Sequence, residues 1–81
     1  MDENSRRSLH ELITRALEKD AQAVAAIEEM IVAFDRSGSA DDVAQSLQML
    51  LTVGDDELHN SIVTRLQQND HQYRQQWPMI G

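Results

Sequence analysis

From Ala21 to Phe34 the chain reads AQAVAAIEEMIVAF, in which eleven of fourteen residues are apolar and only Gln22, Glu28 and Glu29 are polar. No Gly or Pro stands before Gly38, and Val24, Ile27, Ile31 and Phe34 recur at steps of three and four, so the segment reads as helix. A helix that rests on one neighbour needs an apolar arc of about 100°. This one is much wider and has to be covered from more than one direction. Cover is scarce in a chain of 81 residues, because a domain this small buries only about 60–65% of the surface its unfolded state exposes. With no Cys for a disulfide, helix packing or self-association must supply the rest. The expectation is a homodimer in which Val24, Ile27, Met30, Ile31 and Phe34 meet a symmetry mate.

The remaining elements follow from caps and periodicity. MDENSRR at residues 1–7 is polar and reads as a disordered tail. Ser8 and Glu11 have the spacing of a capping box and precede the apolar set Leu9, Leu12, Ile13, Ala16 and Leu17, which places a helix start at Ser8. Helical periodicity then runs to about Arg36. Asp20 falls where the seam should be apolar and argues for a break there. Gly38 suits the left-handed position after a helix, and Ser39 with Asp42 repeats the cap spacing. Val43, Ala44, Leu47, Leu50 and Leu51 form the face of the next helix, which Gly54 stops. Asp55 is a good N-cap for a last helix carrying Leu58, Ile62, Val63 and Leu66. Strand-like alternation does not occur. The fold class is therefore all-α: a small bundle of three helices, or four if Asp20 breaks the first, with a long first helix followed by an αα-hairpin. A single helical domain is expected over residues 8–77, with a tail at 78–81.

Charge narrows the function. The net charge is −7, and after residue 37 only Arg65 and Arg74 are basic. Neutralising phosphates takes clustered Lys and Arg, so direct nucleic-acid binding is not expected. His10, His59 and His71 form no His-x₃-His or HExxH pair; Asp55 or Asp56 with His59 is half a metal site, better read as a solvated pair near a helix start. Ser8 and Ser39 are used in caps, and no strand-turn-helix context exists for a nucleophile elbow. No catalytic, cofactor or metal residue is assigned, and an enzyme is not expected. The sequence SLQMLLTVGDDELHNSIVTRL has a helix-turn-helix outline, but three acids open its second helix where phosphates would lie. A segment apolar enough for a signal peptide or a membrane span is lacking, so a bacterial or viral cytoplasm is the expected setting.

IEEMIVAFDRSG, followed by SLQMLLTVGDDELHNSIVTRL, resembles the small YmgB/AriR-type biofilm and acid-resistance regulators of enteric bacteria. The likeness lies in the order of apolar positions, the Ser-Gly turn and the Asp-x-Leu hairpin, over roughly residues 27–66. The resemblance implies a non-enzymatic dimeric regulator that works through protein contacts. Acyl carrier proteins share the size and acidity, but their Asp-Ser-Leu has only Gln45-Ser46-Leu47 to match it.

The expected function is accordingly a small protein-binding regulator or adaptor acting as a homodimer on an unidentified protein partner. The alternative is an acidic inhibitor of phage or mobile-element origin that mimics nucleic acid and blocks a basic groove. A mimic sets its acids in rows at phosphate spacing, whereas an adaptor scatters them around an apolar patch. Tyr73, Trp77, Met79 and Ile80 complete the picture: the aromatic pair either closes the core or, with Met79 and Ile80, docks a partner.

Overall fold

The computed structural model describes residues 1–68. They form four helices, α1 (Glu3–Leu17), α2 (Ala21–Arg36), α3 (Ala40–Thr52) and α4 (Asp56–Gln68), and no strand occurs among the described residues. Tyr73, Trp77, Met79 and Ile80, and the boundary expected at residue 78, lie outside the described residues.

The first helix starts six residues earlier than the capping-box spacing predicts. Asp2, not Ser8, is the N-cap, and its carboxylate accepts the Ser5 backbone N–H at 2.7 Å. Residues 3–7 are thus the first turns of α1 rather than a disordered tail. Their polarity records an exposed helix face and not a lack of structure. The chain end is tied down as well: the Met1 ammonium pairs with Asp42 in the first turn of α3, and the Met1 side chain packs on the core.

Asp20 does break the long helix. The Lys19 amide bonds the Ala16 carbonyl and the Asp20 amide bonds the Arg15 carbonyl, which is the Schellman closure of a helix C-terminus. Its left-handed residue is Lys19, at φ 70°, where glycine is the usual occupant. Asp20 then starts α2 by accepting the backbone N–H groups of Gln22 and Ala23. Its other oxygen takes Arg15 Nε at 3.1 Å and Nη2 at 2.8 Å. One carboxylate therefore closes α1 and opens α2. The next junction repeats the closure with glycine: Gly38, at φ 80°, bonds the Asp35 carbonyl and Ser39 bonds that of Phe34. Lys19→Gly should consequently stabilise the fold by about 0.5–1 kcal/mol, relief of the left-handed strain outweighing the flexibility glycine adds to the unfolded chain. A thermal melt reads this as a rise of a few degrees.

Ser39 occupies the N-cap position of α3 but makes no capping bond; its hydroxyl lies 3.2 Å from that of Ser37. Asp42, the other half of the expected box, is turned to the Met1 ammonium. Asp55 caps α4 as its position predicts, accepting the Leu58 N–H at 2.8 Å.

Helix α2 is the centre of the arrangement and packs against α1, α3 and α4. Its wide apolar arc is met from several sides within one chain. Ala23, Ile27 and Ile31 form its fully buried line and join Leu9 and Ile13 of α1, Leu50 of α3 and Ile62, Val63 and Leu66 of α4 in one core. Each large aliphatic side chain taken out of water there contributes about 1.5–3 kcal/mol. Arg65 Nε on α4 donates to Glu28 on α2 at 2.7 Å, cross-linking the two helices at the edge of the core.

Acid should loosen this framework at the helix starts. The Arg15 guanidinium, with the Ala23 amide next, holds the Asp20 carboxyl below the ordinary aspartate range, and the Ser5 amide does the same for Asp2. Near pH 3–4, about the ordinary aspartate value, the unfolded chain therefore binds more protons than the folded one, so stability falls as pH drops through that window. Asn retains a cap acceptor without the charge. Asp20→Asn should melt lower than wild type at pH 7, with the two curves converging toward about pH 2.

Candidate functional site

The structure divides the five residues expected at a dimer interface. Ile27 and Ile31 are completely enclosed in the chain's own core, so a second copy cannot reach them without opening the bundle. For that pair α1, α3 and α4 supply the cover within one chain. Val24, Met30 and Phe34 are half-buried. Met30 and Phe34, four residues apart, share one face of α2 and keep part of their surface in solvent.

The polar candidates are also redistributed. His59, expected in a solvated pair, is only 2% exposed; its Nδ1 lies 3.1 Å from Asn60 Oδ1. Ser46 is fully buried on the core side of α3, where its hydroxyl donates to the Asp42 carbonyl at 2.8 Å, while Ala44, expected on the apolar face, is exposed. Among the described residues no group of three or more His, Asp or Glu side chains is placed to hold a metal ion, and none of the helices is long and apolar enough to cross a membrane.

A groove of about 260 Å³ opens where the end of α1, the start of α2 and the start of α4 converge. Leu17 of α1 forms one wall, Ala21 and Val24 of α2 lie along it, and Leu58 of α4 contributes to its lining. Lys19 stands at the α1–α2 turn; Asp55 and Glu57 stand on the α4 side. Leu17 belongs to the apolar set that the sequence assigns to the core, yet it is 41% exposed and is the exposed large hydrophobic among the described residues. Leu17 is the last residue of α1, just before the turn at left-handed Lys19, and its side chain lines the groove instead of joining the core. Periodicity counts it with Ile13 and Ala16, which are buried.

The acids sit mainly at helix starts and in ion pairs. Asp2, Asp20 and Asp55 cap helices. Glu28 pairs with Arg65 and Asp42 with the Met1 ammonium, and Glu3 approaches Arg7 on α1. The chain matches no protein-family model, and neither curated proteins nor solved structures provide a significant match.

Proposed function

We propose that the protein is a small non-enzymatic adaptor or regulator that works through protein contacts and self-associates as a homodimer. The observation that supports this reading over a nucleic-acid mimic is the use of the acids. Caps and ion pairs hold Asp2, Asp20, Glu28, Asp42 and Asp55 in separate parts of the fold, whereas a mimic needs its carboxylates aligned and available on one face. The surface offered for contact includes apolar side chains: Met30 and Phe34 on α2, half-buried, and Leu17 at the groove. The regulators that residues 27–66 resemble would work in the same manner, and that stretch spans the later part of α2, all of α3 and most of α4.

With Ile27 and Ile31 enclosed, self-association would use the Met30–Phe34 face. Sedimentation equilibrium at tens of micromolar should return about twice the chain mass of 9.2 kDa, and Phe34→Glu should return a folded monomer. A wild-type monomer at that concentration removes the dimer from the proposal. The adaptor reading has its own test. A partner co-purified from the native source at physiological salt should be weakened but not released at about 0.5 M salt, since the apolar part of the contact survives screening and a purely charge-mimicking complex does not. Dissociation at that salt, with competition by duplex DNA, would assign the protein to the mimic class.

A further inference from the structure

We propose that the groove between the end of α1 and the start of α4 docks a basic amphipathic segment of a partner protein, one aliphatic side chain entering beside Leu17 and flanking Lys or Arg residues facing Asp55 and Glu57. The inference rests on the adaptor reading and gives that partner a chemistry. Three observations carry it. The exposed large hydrophobic of the described residues, Leu17, lines this groove and not a random part of the surface. Val24 and Leu58 extend its apolar lining. At about 260 Å³ the space has room for an anchoring side chain of a peptide.

Charge selects among the possible occupants. Asp55 and Glu57 line the groove on the α4 side, and Asp56 lies between them in the chain; Lys19 is the base of the lining, at the α1–α2 turn. A second copy would bring another net −7 to this acidic rim. The chain's own residues 69–81 carry one acid, Asp70, and one base, Arg74, and so offer no net positive charge. A partner segment rich in Lys or Arg is attracted by the rim while its aliphatic anchor leaves water.

The experiment is a titration of the full ¹⁵N-labelled chain at physiological salt. The probes are a synthetic helical peptide bearing a Leu flanked by Lys residues and the same peptide with Glu in place of each Lys. The basic peptide should shift the amides of Leu17, Val24, Leu58 and Ser61. The acidic peptide should bind about ten-fold more weakly or not at all. Leu17→Ser and Glu57→Gln should each weaken the basic peptide about five-fold or more while the chain keeps its helical circular dichroism and a cooperative melt, because both side chains lie outside the core. The proposal is overturned by shifts confined to another surface, by equal affinity for the two peptides, or by no binding at millimolar peptide. It is equally overturned if the free chain shows Trp77 contacts to the Leu17 methyls, or if the groove amides shift with protein concentration, since then the chain itself fills the slot. A partner captured equally well by wild type and Leu17→Ser would leave the adaptor reading standing and place docking elsewhere.

Discussion

Ile27→Asp unfolds the chain instead of producing a folded monomer. Ile27 is completely buried, with Ile31 and Ala23 on the same line of α2 and the other three helices closing over it. Replacing it removes an aliphatic side chain, which alone costs about 2–5 kcal/mol in a core, and puts in its place a carboxylate without a partner, which adds several kcal/mol more. Domains of this size have about 3–5 kcal/mol to lose. Circular dichroism at 25 °C should show loss of most helical signal and no cooperative melt. Ile27→Val, which removes one methyl group, should cost only about 0.5–1.5 kcal/mol and remain folded. Had α2 presented Ile27 to a symmetry mate, the aspartate would have been solvated in the monomer and the helices retained. A folded, monomeric Ile27→Asp would therefore show that the residue lies at an interface and that the core assignment is wrong.

The second large effect is expected at a glycine with no unusual backbone angle. A Cβ at Gly54 would stand 2.5 Å from the Leu50 carbonyl oxygen, 3.0 Å from Leu58 Cδ2 and 3.2 Å from Ile13 Cγ2. The leucine and isoleucine tips can give by a few tenths of an ångström, but the carbonyl belongs to the end of α3 and cannot swing away. Gly54→Ala must open the α3–α4 turn and lift it from α1, at about 2–3 kcal/mol. For a domain of this length that is a fall of roughly 10 °C or more in Tm. Gly38 provides the contrast. Its φ of +80° disfavours an L side chain, yet nothing lies within 4 Å of its Cβ position, so Gly38→Ala should cost about 1 kcal/mol from strain alone. Differential scanning calorimetry of the two variants checks the order, and a Gly38→Ala that melts below Gly54→Ala would refute the close-packing account.

These contrasts also separate what could be read along the chain from what could not. The residues Leu58, Ile62, Val63 and Leu66 are all buried as their spacing implies, and Gly38 and Asp55 do what their types predict. In each case the relevant interaction is local, within one helix turn or one junction, and so is written in consecutive residues. Asp2 and Ser8 both offer a cap for α1, and the bond that decides between them leaves no mark on periodicity. Leu17 shares the stripe of Ile13 and Ala16 but not their burial, because a stripe gives the face of a helix and not what packs against each residue along it.

The sequence by itself determined that the protein is helical, where Gly38 and Gly54 divide it, and that α2 needs cover from several directions. Each of these follows from side-chain spacing and backbone freedom, which act over a few residues. Only the tertiary structure decided what provides that cover, because the closeness of α1, α3 and α4 to α2 depends on contacts between residues far apart in the chain. The left-handed turn at Lys19 is the pivot. It brings α1 back along α2, buries Ile27 and Ile31 within one chain, and leaves Leu17 at the surface, beside the acidic start of α4.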